Sequence, residues 1–308
     1  MKNTQAKIKN LKKISIVKLS ALSLVGVMIL TSLASCATQH NSQDTILDTP
    51  RVEDEAYEYR SLEELRRVEL PTYTDTFKEP DGSRKEYHVV EEQDVLDLSR
   101  EFRYAIEDYF KSYDASDWTD EDNKQFWPED IEYMVTAIAF MESSYRTDCT
   151  NEERDCVGMM GINKVTMLPT LQQWLTSDHW TPNYPQVEYD TTKVDMFNPT
   201  TSIEYTYYNI GYVLINRFKK DKRFVDADGQ TKTIWTTLEY SKEMQNRLVI
   251  ASHLFGMTNV VNAIYGRPSE KGVLVPIEKY IYSDYVEGVL DKMYELKNTY
   301  EQEQGLSR

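Results

Sequence analysis

The sequence of 308 residues predicts a mainly α-helical domain with at most a small β-hairpin, preceded by a flexible N-terminal tether. Beyond about residue 89, apolar residues recur at steps of three and four, which is the spacing of one face of a helix. Alternating strand patterns are scarce and there are no internal repeats. The length after the tether suits one domain of ordinary size.

Residues 1–35 predict a bacterial export signal. Six lysines precede an uncharged apolar stretch from Leu19 to about Leu33, which is too short for a comfortable transmembrane helix. The stretch ends in Leu33-Ala34-Ser35-Cys36, which resembles the lipobox of bacterial lipoproteins. This resemblance implies that Cys36 is lipidated and becomes the mature N-terminus. The alternatives are a plain signal peptide and a chance cysteine.

The predicted location is the bacterial cell envelope, with the protein anchored by its lipid. In a bacterium with two membranes, Ala37 rather than aspartate after Cys36 implies the periplasmic face of the outer membrane. In other bacteria we expect the outer face of the cell membrane.

The charge of the chain excludes some partners. Removal of residues 1–35 leaves 29 basic and 51 acidic residues, so the net charge becomes −22 instead of −16. Such an acidic surface disfavours nucleic acid and anionic membrane surfaces as partners. It leaves uncharged ligands open, with membrane contact through the lipid anchor only.

Residues 36–88 are predicted to be the lipid-anchored tether and a poorly defined segment, and residues 89–308 the helical domain. Residues 37 to about 60 are polar, acidic and without periodicity, as expected for a tether. A first helical pattern begins near Val89, and Pro128 is expected to open a second helix in its first turn. Further helical patterns cover 164–175, 199–217, 241–264 and 282–302, and Asp-Gly at 228–229 suggests a hairpin over 222–235.

Cys149 and Cys156 remain if Cys36 is lipidated. In an exported and oxidising compartment, a disulfide that closes the short loop between them is favoured over two reduced thiols. No metal ion or other cofactor is expected, because the four histidines have no ligand spacing. They are His40, His88, His179 and His253.

A glutamate stands at the end of the second helical pattern. Ile131, Val135, Ile138 and Glu142 step by four, three and four, so they share one helical face. The carboxyl group should therefore emerge where core meets surface, and partial desolvation favours the protonated form that a general acid requires. The alternatives are a glutamate that frays into solvent and one that pairs with Arg146 at i+4.

The residues around this glutamate resemble a known signature. Glu142-Ser143-Ser144-Tyr145, then Gly158-Met159-Met160-Gly161-Ile162 and Thr166, are similar to Glu-Ser-x-Phe, Gly-Leu-Met-Gln-Ile and Thr of the lytic transglycosylases. These lysozyme-like enzymes cleave peptidoglycan. Similar segments follow in the family's order and extend the resemblance over about residues 128–290. They are Met196-Phe197-Asn198-Pro199 with Ile203, Ala251–Gly256 with Val260, and Asp284-Tyr285-Val286 with Val289-Leu290.

The resemblance implies a lysozyme-like fold and a lytic transglycosylase in which Glu142 is the single acid/base. The bond cleaved would be the β-1,4 link from N-acetylmuramic acid to N-acetylglucosamine, with formation of a 1,6-anhydro ring, and the partner would be peptidoglycan. The substrate-binding positions that it implies are Ser143, Tyr145, Met160, Gly161, His253 and Tyr285. Core filling by Met160, a satisfied core histidine at 253 and an ordinary tyrosine at 285 are the alternatives.

Four residues depart from the family pattern. Gly161 replaces a glutamine, His253-Leu254 replaces Tyr-Asn, and Ile281 replaces an acidic residue for which Glu278 could substitute. These departures leave open a degenerate member that binds peptidoglycan or serves as a cell-wall scaffold without cutting it. A hydrolase with a second carboxylate is a further alternative, with Asp148, Glu152, Glu153 or Asp155 as candidates. The aromatic loop 179–185 is either a lip of the cleft or a packed surface loop.

Overall fold

A computed structural model of the protein describes residues 59–111, 127–128, 130–177, 193–218, 223–238 and 241–303. The described residues belong to one compact unit that spans residues 57–308. Segment 59–88 is therefore part of the domain, which begins earlier in the structure than the predicted boundary at residue 89. The predicted signal peptide, Cys36, most of the predicted tether and loop 179–185 lie outside the described residues.

The fold is mainly helical, as the sequence predicts. In chain order the helices are α1 (Leu62–Leu65), α2 (Glu92–Lys111), α3 (Ile131–Ser143), α4 (Met167–Leu175), α5 (Pro199–Arg217), α6 (Ile234–Leu238), α7 (Lys242–Phe255), α8 (Met257–Ile264), α9 (Glu278–Ile281) and α10 (Asp284–Glu303).

The predicted helix over 199–217 is confirmed as α5, whose N-cap Asn198 accepts a hydrogen bond from the backbone N–H of Thr201 at 3.2 Å. The pattern over 241–264 is two helices, α7 and α8, with Gly256 between them. The helix predicted to open at Pro128 begins at Ile131, because Asp130 takes a left-handed φ of 64°.

Among the described residues, three small antiparallel sheets accompany the helices, so the prediction of at most one hairpin is wrong in number. The strands are β1 (Thr72–Lys78), β2 (Arg84–Val90), β3 (Thr150–Asn151), β4 (Cys156–Val157), β5 (Ile162–Asn163), β6 (Arg223–Val225) and β7 (Thr231–Thr233). The sheets are β1-β2, β3-β4-β5 and β6-β7. The β6–β7 hairpin lies where Asp-Gly predicted it.

Helix α3 lies at the centre of the core. Residues 131–139 of α3 are buried on all sides, and the helix packs against α2, α5 and α10. A buried ion pair joins α3 to α2, with the Nη1 of Arg103 2.8 Å from a carboxylate oxygen of Glu132. The residue at the end of α3 is therefore presented by a rigidly packed helix. Within the described ranges, no helix is both long and apolar enough to cross a bilayer.

Candidate active site

Glu142 is the last but one residue of α3, and the chain leaves the helix there by a strained turn. Ser144 and Tyr145 both adopt left-handed φ values, of 53° and 63°. That conformation costs a residue other than glycine roughly 1–2 kcal/mol. Such strain persists only where the surrounding structure holds it. The N–H of Ser144 remains bonded to the carbonyl of Phe140 at 2.7 Å, which closes the helix end.

Pairing with β2 holds this turn in place. The N–H of Val90 donates to the carbonyl of Tyr145 at 3.1 Å, and the N–H of Thr147 donates to the carbonyl of His88 at 2.9 Å. The segment after Glu142 thus forms a single antiparallel bridge to β2, between Arg146 and Val89. The β1–β2 hairpin, which lies mostly in the segment that the sequence left poorly defined, supports the end of α3.

The carboxyl group of Glu142 is half-buried, since 19% of the side chain is exposed. The hydroxyl of Tyr285 on α10 donates to Oε1 at 2.6 Å. Burial, together with the charge of Glu142, raises the pKa of Tyr285 well above its usual value, so the phenol keeps the proton that it donates. Oε2 has no hydrogen-bond partner in the described part of the chain, so it keeps its hydrogen-bonding capacity for a ligand.

The Gly158–Gly161 turn forms the floor beneath this carboxylate. Gly161 has a φ of 59°, and a Cβ built on it would lie 2.5 Å from Oε2 of Glu142. Gly158 has a φ of 76°, and a Cβ there would lie 2.0 Å from the carbonyl oxygen of Met196. Both positions therefore require glycine for backbone conformation and for space. The absence of a side chain at 161 is what allows the carboxylate to rest on this turn.

His253 and Asn209 fix the turn from the opposite side. Nε2 of His253 lies 3.1 Å from the carbonyl oxygen of Met160, and Nδ1 lies 3.5 Å from Nδ2 of Asn209. A neutral ring with its proton on Nε2 satisfies both contacts, because it donates to the carbonyl and accepts from the amide. The same Nε2 is 4.0 Å from Oε1 of Glu142. His253 therefore orients the cleft floor and lies beside the acid.

These groups open into a cleft of about 870 Å³. Its walls come from the β1–β2 hairpin, the β3-β4-β5 sheet, α4, α5 and the segment from α7 to α8. The lining includes Glu79, Lys85, Tyr87, Glu142, Arg146, Cys149, Asn151, Arg154, Cys156, Gly161, Asn163, Thr166, Asn209, His253, Phe255, Asn259 and Glu270. A carboxylic acid that faces such a cleft from a rigid helix is placed to donate a proton to a bound ligand.

The structure brings four of the predicted site residues together. Glu142, Gly161 and His253 line the cleft, and Tyr285 contacts the acid directly. Thr166, also part of the quoted signature, lies on the same wall, where its hydroxyl donates to Oδ1 of Asn163 at 2.8 Å.

Three other predicted substrate-binding side chains do not line the cleft. Ser143 is buried and its hydroxyl donates back to the carbonyl of Ala139 at 3.1 Å. Tyr145 points toward α2, where its hydroxyl donates to Glu92 at 2.7 Å. Met160 is fully buried and fills the core, although its backbone carbonyl forms part of the floor. All three side chains therefore contact the interior of the domain or α2 instead of the cleft.

Contacts in the structure also bear on two alternatives raised by the sequence, an ion pair from Glu142 to Arg146 and a second carboxylate for hydrolysis. Arg146 does not pair with Glu142, because its Nε donates to the carbonyl of Ser143 at 2.6 Å. The four acids considered for a hydrolytic second carboxylate do not line the cleft, whereas Glu79 and Glu270 do. Glu278 and Ile281 are also absent from the lining. Within the described ranges, no group of His, Cys, Asp or Glu is arranged to hold a metal ion.

The predicted disulfide is not formed, since Cys149 and Cys156 are both free thiols. The register of the sheet gives the reason. Cys156 pairs with Asn151, whereas the carbonyl of Cys149 accepts from the N–H of Gly158 at 2.9 Å. The two cysteines are therefore diagonal neighbours, and that spacing of about 7–8 Å exceeds the usual Cα separation of a disulfide.

Several lining residues were not predicted from the sequence. Asn209 lies inside α5, whose pattern predicted only a core helix. Lys85 and Tyr87 lie on a hairpin that sequence reasoning left undefined. The alternation of Tyr87 and Val89 with exposed residues on β2 was the available signal for that strand.

No protein-family model matches the chain, and comparison with curated proteins gives no significant match. The function is therefore inferred from the geometry of the cleft together with the motifs in the sequence.

Proposed function

We propose that the protein is a peptidoglycan lytic transglycosylase with a lysozyme-like catalytic domain and with Glu142 as its single acid/base. The observation that carries the proposal is the half-buried carboxyl group of Glu142, which lines the cleft, is held through Oε1 by Tyr285 and has no hydrogen-bond partner on Oε2 within the described residues. The mainly helical fold and the order of the motifs are compatible with it. The cleft volume of about 870 Å³ leaves room for several sugar units.

In the proposed reaction, protonated Glu142 donates its proton from Oε2 to the glycosidic oxygen. The bond from that oxygen to C1 of N-acetylmuramic acid breaks, and N-acetylglucosamine leaves with a free 4-hydroxyl group. The substrate's own N-acetyl group stabilises the positive charge at C1. Glu142, now a carboxylate, takes the proton from the C6 hydroxyl, and O6 bonds to C1 to form the 1,6-anhydro ring. Water is not consumed, so the reaction requires no second carboxylate.

The direct test uses the full-length protein purified in detergent and incubated with purified sacculi. Mass spectrometry of the released muropeptides distinguishes anhydro ends from reducing ends. We expect anhydro products from the wild type and none from Glu142→Gln, whose amide oxygen still accepts the hydrogen bond from Tyr285. A thermal melt of the variant controls for folding. Reducing ends would identify a hydrolase, in which Glu79 or Glu270 is the carboxylate to examine next.

A second candidate is a protein that binds peptidoglycan without cutting it, either alone or as a cell-wall scaffold. The observation that favours it is the cleft surface at Gly161 and Leu254, where two polar side chains of the family pattern are missing. Sedimentation of the protein with sacculi, combined with no release of muropeptides, would replace the enzymatic proposal with this one.

The proposed location is the cell envelope, through a lipid on Cys36. Metabolic labelling with a fatty acid tests this part separately. We expect label on the wild type and none on Cys36→Ser, and an unlabelled wild type would exclude the lipoprotein proposal.

A further inference from the structure

A buried pair of side chains, Asn209 of α5 and His253 of α7, lies behind the floor of the cleft. Only 1% of the His253 side chain is exposed, and Asn209 is 6% exposed. The two ring nitrogens of His253 have different partners. Nδ1 is 3.5 Å from Nδ2 of Asn209, whereas Nε2 is 3.1 Å from the carbonyl oxygen of Met160. The protonation of the ring therefore depends on what each partner can donate or accept.

The partner of Nε2 fixes a proton on that nitrogen. A backbone carbonyl can only accept, so the contact with Met160 requires an N–H at Nε2. Oε1 of Glu142 is farther from Nε2, at 4.0 Å, and already accepts from the hydroxyl of Tyr285 at 2.6 Å. The Nε2 proton is therefore bonded to the floor of the cleft and not to Glu142.

The partner of Nδ1 decides whether the ring is charged. An amide N–H that points at Nδ1 needs an unprotonated nitrogen as its acceptor, and a ring with its only proton on Nε2 is neutral. Burial acts in the same direction, because a charge removed from water without a hydrogen-bonded counterion is costly. Among the described residues, Glu142 of α3 is the acidic group within 4.0 Å of the ring nitrogens, and Tyr285 of α10 is bonded to that group.

The charge of this ring matters to the proposed reaction because the ring lies so close to Glu142. A positive imidazolium 4.0 Å from the carboxylate would stabilise the ionised form of Glu142. The proposed reaction begins from the protonated form, so a charged ring would oppose its first step. A neutral ring holds the cleft floor through the Met160 carbonyl and leaves the protonated form of Glu142 accessible.

We propose that Asn209 is a positioning residue for the acid, which holds His253 as the neutral tautomer with its proton on Nε2 so that Glu142 can carry the proton it donates. This inference rests on the proposed function. Asn209 acts through the ring of His253, whose Nε2 lies beside the carboxylate. An ionised aspartate of nearly the same shape at position 209 could only accept a hydrogen bond, so it would draw a second proton onto Nδ1 and charge the ring.

The state of the ring is read by nuclear magnetic resonance of the full-length protein, labelled with nitrogen-15 histidine and purified in detergent. His253→Gln identifies the signal of His253 by its loss. We expect the wild-type ring to be neutral at pH 7 with its proton on Nε2, and the ring of Asn209→Asp to be an imidazolium. A wild-type ring that is charged at pH 7, or that carries its proton on Nδ1, would overturn the inference whether or not the protein cleaves peptidoglycan.

The effect on the acid is read from the pH dependence of muropeptide release, whose descending limb reports loss of the proton from the general acid. Asn209→Asp should move this limb to lower pH and reduce the rate on it about tenfold, since the aspartate on Nδ1 offsets only part of the charge on the ring. Asn209→Leu removes the hydrogen bond without adding a charge, so it should lower Tm and leave the limb in place. A limb that moves equally in both variants, or in neither, would overturn the inference.

Asn262→Asp on α8 is the matched control, because it adds the same charge at a position that does not line the cleft. It should keep the neutral ring and the wild-type limb. A thermal melt of each variant checks folding, and the wild-type spectrum tests the state of the ring even where a variant does not fold. Absence of muropeptide release from the wild type would overturn the proposed function, whereas the spectra would still decide whether Asn209 keeps His253 neutral.

Discussion

Replacement of Gly161 by alanine tests the relation between the Glu142 carboxylate, the proposed acid/base, and the cleft floor. The added Cβ would lie 2.5 Å from Oε2, 2.9 Å from Cδ and 3.2 Å from Cγ of Glu142. An ordinary contact begins near 3.4 Å, so Oε2 must retreat by about 0.9 Å. The retreat also strains the 2.6 Å hydrogen bond from Tyr285, which holds the other carboxylate oxygen.

The size of the effect follows from this displacement. A shift of about 1 Å at a reacting group can reduce a rate by roughly a hundredfold. A residue with a side chain at the φ of 59° also costs roughly 1–2 kcal/mol of folding free energy. For a domain of this size, that cost lowers Tm by about 2–4 °C for each kcal/mol. We therefore expect a folded protein with a small loss of Tm and a large loss of muropeptide release.

Gly229→Ala is the control, because Gly229 has a φ of 78° and nothing within 4 Å of the added Cβ. It carries the same backbone cost without the clash, so it should lower Tm and leave activity unchanged. Release of muropeptides by Gly161→Ala within threefold of the wild-type rate would refute the reasoning. It would mean that the carboxylate does not work from the position over Gly161.

Further predictions address the neighbours of the acid. Gly161→Gln, although it introduces the glutamine of the lytic transglycosylase pattern, should also reduce activity, since its Cβ makes the same clash with Glu142; a rise in muropeptide release would contradict this. Tyr285→Phe should lower the cleavage rate about tenfold and the free energy of unfolding by about 1 kcal/mol, because the hydrogen bond to Glu142 is lost. Since the raised pKa of Tyr285 means that the folded state keeps a proton the unfolded chain releases, stability should fall as pH rises above about 10, and less steeply in Tyr285→Phe; equal slopes in urea unfolding between pH 9 and 11 would refute this. His253→Leu should lower Tm by several degrees, because the Met160 carbonyl and the Asn209 amide lose their partner, whereas His253→Gln, which retains a donor, should lose less. Burial raises the pKa of Cys149 and of Cys156, so both thiols should alkylate more slowly in the native protein at pH 8 than in urea; absence of alkylation in urea without reductant would instead reveal a disulfide.

The sequence predicted the parts of the fold that have strong periodicity or a clear cap. Helix α5 was predicted with its correct bounds because Asn198-Pro199 marks its start. The β1–β2 hairpin was missed because β1 is exposed over nearly all of its length, and so it lacks the apolar alternation of a half-buried strand. The strands of the β3-β4-β5 sheet have two residues each, too few for any pattern.

Within the site, the spacing of the motifs predicted which residues lie close together better than it predicted where their side chains point. Glu142, Gly161, His253 and Tyr285 meet as the motifs imply. Tyr145 does not, because two successive left-handed residues turn its side chain toward Glu92. Tertiary contacts impose this backbone strain on the serine and the tyrosine, so it cannot be predicted from local conformational propensity.

The departures from the family pattern form one connected arrangement. Gly161 leaves the space that the Glu142 carboxylate occupies, and the neighbouring carbonyl of Met160 is held by the imidazole of His253. The same imidazole lies 4.0 Å from that carboxylate, so the two altered positions, 161 and 253, are neighbours in the site. The effects of mutations at residues in direct contact are not additive. A glutamine introduced at position 161 alone would therefore meet a site in which position 253 is still a histidine. The missing glutamine and tyrosine are therefore weak grounds for inferring an inactive cleft. Glu142 keeps a hydrogen-bond donor, Tyr285, on Oε1, and its Oε2 has no hydrogen-bond partner in the described part of the chain.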